Sequence, residues 1–229
     1  VEMTWRTAKE LECDYRIVVA TDDSRIEEEC NRFGAEVIIT PKSCANGTER
    51  VAETLKILNE NFDVIINLQG DSPLLPTQYI SLLVKVMKNK LIKVATPVIR
   101  SESSMYSAVD KDRETNLVGP TFAVCKKNLN ALYFSKAMIP SNFAKNEKNS
   151  TQFYFHVGLY AYTQDILERY TEMGEGALEK QEGLEQLRFL ENDIDLRCVV
   201  VEAKGSPVWE VNNPSDIAIV EKIEKSGSF

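Results

Sequence analysis

The chain has 229 residues, of which 35 are acidic and 27 basic, so its formal net charge at neutral pH is −8. This length favours one α/β domain with a large core over two large independent domains. No basic cluster is present that could neutralise a row of phosphates, so we expect no binding to nucleic acid, although one nucleotide needs only a few donors and a metal.

The five cysteines are scattered and form no CxxC pair, which favours reduced thiols, a cytoplasmic protein and no structural zinc. No run approaches the ~20 apolar residues of a membrane-spanning helix, so we expect no membrane insertion. We also expect no signal peptide. The chain opens with VEMTWRTAKELE, whose amphipathic spacing predicts a helix with no strand before it.

The first half of the chain alternates short β-branched runs with helical segments. The runs RIVVAT, AEVIIT, DVIINL and KVATPVI predict strands at 16–21, 35–40, 63–68 and 93–99, and the intervening helices are predicted at 24–33, 47–60 and 77–90. This alternation is typical of βαβ units. We therefore expect an α/β fold with a mostly parallel sheet and helices on both faces.

Three polar, turn-rich segments follow predicted strands, namely ATDDS, TPKSCANGTE and LQGDSP. The carboxyl ends of parallel strands collect the reactive loops of such folds, so these segments are expected to converge. Asp71 follows Gly70 in the third segment. A carboxylate there could approach Mg²⁺, which prefers oxygen ligands shared between carboxylates and substrate phosphates. The alternative is a turn-forming aspartate before Ser-Pro.

The other two segments could contribute to a nucleotide site. Asp22 and Asp23 also follow a strand, and Asp23 is expected to cap the next helix. The stretch from Asn46 to Arg50 joins a loop to a helix, whose first amides could bind a base edge or a phosphate. The alternative is an ordinary Asn-Gly turn with Thr48 as the N-cap.

The second half of the chain is organised differently. Residues 101–152 are polar and irregular around the apolar segment NALYFSKAMIP, and they predict an inserted lobe rather than a linker. Beyond them we expect a strand at 153–162, a helix at 177–193, a strand at 196–203 and a final helix at 215–226.

On the strand at 153–162, alternation places the only histidine, His156, on the same face as Gly158, Tyr160 and Tyr162. This face is expected to be a polar platform with room for a ligand. Alternatively, His156 is hydrogen-bonded within the core.

The helix predicted at 177–193 has a leucine side and an opposite side formed by Glu182, Glu185, Gln186 and Phe189. That opposite side is either a solvated face or a set of acceptors for sugar hydroxyls. The chain has no Ser-His-Asp order and no Walker loop, so hydrolase and P-loop activities are disfavoured.

Six segments in order resemble the 3-deoxy-manno-octulosonate cytidylyltransferases, also called CMP-Kdo synthetases. They are ATDDSRI, NGTERVAE, NLQGDSPLL, LYFSKAMIP, FHVGLYAY and LEKQEGLEQLR, and together they cover nearly the whole chain. The resemblance implies one Rossmann-like nucleotidyltransferase domain over residues 1–229, with an inserted dimerisation or sugar-binding lobe at 101–165. It also implies Mg²⁺ and a cytoplasmic homodimer.

The activity implied is transfer of CMP from CTP to Kdo, an eight-carbon 3-deoxy sugar acid, releasing pyrophosphate for lipopolysaccharide synthesis. Two alternatives stay open. One is a CMP-activating synthetase for another sugar acid, and the other is a nucleotide- or sugar-binding protein without turnover.

The resemblance also implies roles for individual residues. Asp71 matches the metal-binding aspartate, Gln69 its neighbour that helps to hold the sugar, and Lys136 the basic residue that contacts the sugar acid. The residues implied for the nucleotide are Asp22, Gly47, Thr48 and Arg50. Those implied for the sugar are His156, Tyr160, Glu182, Glu185 and Gln186.

The chain departs from the family pattern at four places. A strand and a PARxxSxRLPGK loop that would precede Val1 are not in the sequence, and we expect this loop to be either removed or omitted from the numbering. Asn212 in VNNPSDI replaces a second metal-binding aspartate, so the expected metal ligands are Asp71 and Asn212, with Asp216 or Glu210 as additional candidates.

The other two departures concern the sugar pocket. Lys136 replaces an arginine and so supplies a point charge rather than a fork, and LVGPTFAV replaces a segment that carries a lysine. Loss of positive charge can relieve repulsion with an ammonium group. The 8-amino analogue of Kdo is therefore an alternative acceptor to Kdo itself.

Overall fold

The computed structural model describes residues 1–11, 15–101, 120–141, 153–202, 211 and 214–226. The helices are α1 (Glu2–Lys9), α2 (Ser24–Phe33), α3 (Gly47–Leu58), α4 (Thr77–Met87), α5 (Gln164–Met173), α6 (Ala177–Glu182), α7 (Leu187–Glu191) and α8 (Pro214–Ser226). The strands are β1 (Val18–Thr21), β2 (Glu36–Ile39), β3 (Ile65–Leu68), β4 (Val94–Ser101), β5 (Phe122–Cys125), β6 (Ala131–Ser135), β7 (Phe153–His156), β8 (Leu159–Tyr162) and β9 (Leu196–Val201).

The alternation predicted for the first half is confirmed. β1, β2 and β3 lie within their predicted strands, β4 extends two residues beyond the strand predicted at 93–99, and α2, α3 and α4 lie within the three predicted helices. α2 and α3 have local start and stop signals that can be read in the sequence. For example, the side chain of Asp23 accepts a hydrogen bond from the backbone N–H of Arg25 at the start of α2, as expected of an N-cap.

The strands form two sheets. β1 and β2 pair in parallel as a separate two-stranded sheet. The larger sheet has seven strands in the order β3-β8-β4-β7-β5-β6, with β9 beside β4. Within the described residues, its one parallel pair is β4 with β9, and its other pairs are antiparallel.

The expectation of a mostly parallel sheet is therefore wrong. The reason for the difference is the position of β8, which pairs antiparallel with both β3 and β4. β8 thus separates two strands that α4 connects along the chain. The βαβ pattern predicts the crossover but cannot predict a strand inserted from later in the chain. β5 and β6, from the predicted inserted lobe, belong to this same sheet, whereas residues 102–119 and 142–152 lie outside the described parts.

The single strand predicted at 153–162 is two strands. β7 ends at His156 and β8 begins at Leu159, and the two pair with opposite ends of β4. The rings of His156, Tyr160 and Tyr162 do share a face, with centroids 5.3 Å and 5.8 Å apart along the row. His156, Gly158 and Tyr160 of this face line a cavity, as expected of a platform with room for a ligand, whereas Tyr162 is fully buried in the core and the expectation is wrong for that residue.

The single helix predicted at 177–193 is also wrong. α6 stops at Gly183, whose φ of 65° lies in the left-handed region that glycine adopts most easily. α7 starts four residues later, and Gln186 and Phe189 are 1% and 0% exposed rather than solvated. Residues 183–186 therefore form a turn between α6 and α7 rather than part of a helix.

The core lies on both faces of the large sheet, because β8 is buried on both sides. Tyr160 and Tyr162 pack with residues of α5 and α7, whereas Leu159 and Ala161 pack with α4 on the other face. Among the described helices, none combines the length and the apolar composition needed to cross a membrane.

Candidate active site

A cavity of about 400 Å³ lies between the start of α3, the end of β3, the turn from β7 to β8, and the segment that joins α6 to α7. Six of the predicted site residues line it, namely Gly47, Gln69, His156, Tyr160, Glu185 and Gln186. The structure thus brings one residue predicted for the nucleotide together with four predicted for the sugar. Thr48, Arg50, Asp22, Asp71, Lys136 and Glu182 lie outside the lining.

The start of α3 forms one side of the cavity. Asn46 is the N-cap, since its Oδ1 accepts a hydrogen bond from the backbone N–H of Glu49 at 2.9 Å. The alternative of Thr48 as the N-cap is therefore wrong. Thr48 is fully buried, with its backbone N–H donating to Glu185 at 2.9 Å and its hydroxyl 2.7 Å from the Tyr162 hydroxyl. Its amide is not open to a base edge or a phosphate, and its role toward a nucleotide stays a prediction.

Glu185 links three elements at the cavity. Besides the bond from Thr48, its Oε1 lies 3.5 Å from Nε2 of Gln69, which follows β3. Burial raises the pKa of the Glu185 carboxyl, while the hydrogen bonds from Thr48 oppose that shift. A carboxylate at the first turn of a helix is also stabilised by the helix dipole. Glu185 therefore presents an acceptor to the cavity from a fixed position.

Gln186 supplies a hydrogen-bond donor that lacks a protein partner. Its Oε1 accepts a hydrogen bond from the Tyr160 hydroxyl at 3.1 Å. Its Nε2 is buried and has no hydrogen-bond partner among the described residues. A buried unpaired donor is destabilising, so an acceptor on a ligand in this cavity would satisfy it.

His156 is held in one neutral form. Its Nε2 lies 2.9 Å from Oγ1 of Thr96, and that hydroxyl donates its hydrogen to the carbonyl of Leu159 at 2.8 Å. Thr96 must therefore accept a hydrogen bond from Nε2–H, which leaves Nδ1 as an acceptor. Burial, and then the charge of Lys136, lower the pKa of His156 to about 3. The imidazole is neutral at physiological pH and can orient a ligand hydroxyl.

Glu182 connects α6 to the end of β6. Its carboxylate accepts hydrogen bonds from the Ser135 hydroxyl at 2.8 Å, the Tyr133 hydroxyl at 3.3 Å and the backbone N–H of Lys136 at 2.9 Å. Glu182 thereby fixes the backbone of Lys136. The positive charge of Lys136 contributes to the lowered pKa of His156. Direct contact of Glu182 with a sugar stays a prediction, as does the role of Lys136.

Arg50 and Asp22 form a separate cluster where β1 and β2 end. Arg50 donates from Nη2 to Asp22 Oδ2 at 3.2 Å and from Nη1 to Thr40 Oγ1 at 2.6 Å. The two sequence segments predicted for the nucleotide therefore do converge, since Asp22 follows β1 and Arg50 lies on the first turn of α3. Both side chains are partly exposed and are accessible to a ligand beside the cavity.

Asp71 is half-buried after β3, with Oδ1 3.4 Å from the Ser72 hydroxyl. Its backbone carbonyl accepts a hydrogen bond from the N–H of Val211 at 2.8 Å. Asn212, the second predicted metal ligand, lies outside the described residues, as does Glu210. Within the described ranges no group of three His, Cys, Asp or Glu could hold a metal. One carboxylate without nitrogen or sulfur donors still fits Mg²⁺, which takes few protein ligands and completes its shell with water and phosphate.

Several residues at the site were missed by the sequence reasoning. Thr121 and Glu179 line the cavity, and Arg188 lies behind it, paired with Glu179 at 2.7 Å. The signal that could have located this pair is Gly183, a helix stop between the two residues. In one continuous helix, the side chains of Glu179 and Arg188 would point in different directions, so their pairing could not be predicted.

Comparison with known proteins identifies the family. The family model described as cytidylyltransferase matches residues 2–196. The 3-deoxy-manno-octulosonate cytidylyltransferase of Maricaulis maris (strain MCS10) is 36% identical over 224 residues, which cover 97% of this chain and 86% of that protein. This chain belongs to the 3-deoxy-manno-octulosonate cytidylyltransferase family.

Two further relatives agree with this membership. The mitochondrial 3-deoxy-manno-octulosonate cytidylyltransferase of Arabidopsis thaliana is 35% identical, over 98% of this cytidylyltransferase and 72% of that protein. A solved structure of CMP:2-keto-3-deoxy-manno-octonic acid synthetase complexed with CTP superposes with a TM-score of 0.84 at 29% identity, covering 99% of this chain and 87% of that one. The α/β nucleotidyltransferase fold is confirmed, and the chain is a nucleotidyltransferase enzyme. Cytidylyltransferases of this type commonly use a divalent metal.

Proposed function

We propose that this cytidylyltransferase transfers CMP from CTP to Kdo, giving CMP-Kdo and pyrophosphate. The observation that carries the proposal is that one cavity brings Gly47, at the start of α3, together with His156, Tyr160, Glu185 and Gln186. A sugar site beside the first turn of α3 is the arrangement that a reaction between a nucleotide and a sugar requires.

The polar groups of the cavity suit a ligand rich in hydroxyls. His156 offers an acceptor at Nδ1, Glu185 offers a carboxylate, and Gln186 offers the unpaired donor at Nε2. Hydroxyls both donate and accept, so they can satisfy all three groups at once. The ring of Tyr160 lines the cavity and stacks on the buried ring of Tyr162, which supports it from behind.

In the proposed reaction, the anomeric hydroxyl of the sugar attacks the α-phosphorus of CTP. A sugar–phosphate bond forms, the bond between the α- and β-phosphates breaks, pyrophosphate leaves and the hydroxyl proton passes to solvent water. Such a step depends on alignment and on neutralisation of charge. With a pKa of about 3, His156 is too weak a base to remove that proton at neutral pH, so its proposed role is to orient the sugar.

We assign Mg²⁺ binding to Asp71 and Asn212. The support is the hydrogen bond from the N–H of Val211 to the carbonyl of Asp71, because Val211 is the residue that precedes Asn212 in the chain. A bound Mg²⁺ would neutralise negative charge on the phosphates of CTP. Arg50, on the first turn of α3, and Asp22, after β1, are proposed for the nucleotide, and Lys136 for the carboxylate of the sugar. The homodimer and the cytoplasmic location stay predictions.

The 8-amino analogue of Kdo is a second candidate acceptor. The cavity lining includes Glu175, Glu179 and Glu185, and its described residues include no lysine or arginine. Arg188 is paired with Glu179 and Lys180 with Glu175. The carboxyl of Glu185 is therefore the lining group that would favour an ammonium group on the ligand over a hydroxyl at the same position.

The deciding experiment measures pyrophosphate release from CTP and Mg²⁺ with three acceptors, which are Kdo, 8-amino-Kdo and a nine-carbon sugar acid. Mass spectrometry identifies the CMP-sugar, and kcat/KM ranks the acceptors. We expect turnover with an eight-carbon acceptor. Higher kcat/KM for 8-amino-Kdo would select the second candidate. Preference for the nine-carbon acid, or CTP binding with no product from any acceptor, would contradict the proposal.

A further inference from the structure

Arg188 of α7 has a guanidinium group with an unusual set of partners for a buried cation. Its side chain is 2% exposed. Nε and Nη2 donate to the two carboxylate oxygens of Glu179, each at 2.7 Å, and Nη1 donates to Glu49 at 2.9 Å. The guanidinium also lies over the ring of Tyr170, 4.2 Å from its centroid. Burying a charge is costly unless its partners satisfy it fully, and here two carboxylates and an aromatic face do so.

Both carboxylate partners of Arg188 are connected to the lining of the cavity. We name residues 45–48, of which 45–47 line the cavity, the nucleotide wall, and the lining residues between 175 and 186 the sugar wall. Glu49 accepts a hydrogen bond from the backbone N–H of Ala45 at 2.8 Å, which ties it to the nucleotide wall. Glu179 belongs to the sugar wall and lies 3.4 Å from Nδ2 of Asn46. Arg188 therefore contacts one carboxylate attached to each wall.

Tyr170 makes a second connection between the walls. Its hydroxyl donates to the backbone carbonyl of Glu185 at 3.0 Å and accepts from Nδ2 of Asn46 at 3.2 Å. Since Arg188 packs over the face of this ring, it helps to fix the ring that joins Asn46 to Glu185.

The charges show why a cation is needed at this position. Glu49, Glu179 and Glu185 all lie around the junction of the walls, and like charges repel at such distances. After burial, which has the largest effect, Glu179 raises the pKa of Glu185 and Arg188 lowers it. Without Arg188 the walls would carry unopposed negative charge and would tend to separate.

We propose that Arg188 is a positioning residue that holds the nucleotide wall against the sugar wall, so that the two substrates meet at reacting distance. This inference rests on the proposed function of the cavity. The role requires a planar fork, because a lysine cannot bind Glu179 with two parallel hydrogen bonds and reach Glu49 at the same time.

The kinetic test compares Arg188→Met and Arg188→Lys with Arg32→Met, a control in which an arginine 63% exposed pairs with Glu29 on the surface. Misplacement of reacting groups by about 1 Å costs roughly 100-fold in rate. We expect kcat to fall by about that factor in Arg188→Met, with partial recovery in Arg188→Lys and no change in the control. If kcat and both KM values of folded Arg188→Met stay within about twofold of wild type, well below the effect of such misplacement, the inference is wrong.

A second test needs no substrate and separates this inference from the proposed function. Hydrogen exchange is measured at the backbone amides of Ala45 and Thr48, which bond to Glu49 and Glu185, and at the amide of Cys198 in β9. We expect both wall amides of Arg188→Lys to lose roughly tenfold protection, and Cys198 to keep its own. Equal loss at all three amides would show a role in global stability alone and overturn the inference. Absence of CMP-sugar with wild type would instead refute the proposed function.

Discussion

The carboxylate of Glu185 accepts the backbone N–H of Thr48 at 2.9 Å across 137 positions of the chain. The bond places a negative charge on the first turn of α3, where the helix dipole favours it. It also joins the sugar wall to the nucleotide wall through a half-buried carboxyl group, so the ionisation of Glu185 affects both walls.

Glu185→Gln tests that ionisation through the pH dependence of stability. Burial raises the pKa of Glu185 above its ordinary value of 4.5, so above pH 4.5 the folded protein binds more protons than the unfolded chain. The contribution of Glu185 to the free energy of unfolding therefore decreases as pH rises from 4.5 through the raised pKa of the folded protein. Urea unfolding across this range should show Glu185→Gln gaining stability relative to wild type as pH increases.

Glu29→Gln is the matched control, because a hydrogen bond from Arg32 lowers the pKa of Glu29. The stability that Glu29 contributes is present above its ordinary pKa and is lost as pH falls. The two variants should thus change in opposite directions with pH. Parallel changes would contradict the raised pKa of Glu185.

His156 can be followed directly, since it is the only histidine in the chain. Its proton NMR resonance should not titrate between about pH 5 and 8, because burial and Lys136 lower its pKa from 6.5 to about 3. The unfolded chain takes up a proton near pH 6.5 and the folded protein does not. The contribution of His156 to stability is therefore present above pH 6.5 and is lost as pH falls toward 3. A titration midpoint near 6.5 in the folded protein would contradict the lowered pKa of the half-buried imidazole.

Gly47→Ala should impair activity without affecting stability. A Cβ at residue 47 would lie 3.3 Å from Nδ2 of Asn67, 3.7 Å from Nε2 of Gln69 and 3.8 Å from Oε1 of Glu185. The added methyl group would be in tight contact with the side chain of Asn67 and in van der Waals contact with those of Gln69 and Glu185. We expect kcat/KM to fall about tenfold, in proportion to a displacement of a few tenths of an ångström, with an unchanged melting temperature.

Gly34→Ala provides the opposite case. Gly34 ends α2 with a φ of 78° and has no atom within 4 Å of the Cβ position. Alanine there should cost about 1 kcal/mol of stability through backbone strain and leave kcat/KM unchanged. If Gly47→Ala loses stability in step with activity, its effect is on the fold rather than on the site.

Asp71→Asn should abolish most turnover and weaken the Mg²⁺ dependence of pyrophosphate release. The half-buried side chain has few contacts, so we expect the free energy of unfolding to change by less than about 0.5 kcal/mol. Asp63→Asn is the control, because its carboxylate is 95% exposed on the loop before β3. Full activity with unchanged Mg²⁺ dependence in Asp71→Asn would remove this residue from the proposed metal site.

The sequence predicted the parts of the fold that depend on neighbours along the chain. β1 to β4 and the helices between them follow from hydrophobic period and caps, and the order of six segments located Gly47, His156 and Gln186 at one site. Contacts between distant residues were not predictable. The insertion of β8, the bond from Thr48 to Glu185 and the pairing of Glu179 with Arg188 depend on how separate elements pack. Gly183 is a recognisable helix stop, but the apolar residues on both sides of it keep a helical spacing and so predict one continuous helix.

The position of β8 between β3 and β4 also constrains how the protein folds during synthesis. The ribosome completes β4 at Ser101, long before Leu159–Tyr162 is made. Until then, the edges of β3 and β4 that β8 will cover have no partner, and unpaired strand edges promote association between chains. The nascent chain must therefore keep these two strands apart until a segment about sixty residues downstream arrives, and the long sequence separation makes this closure a slow step.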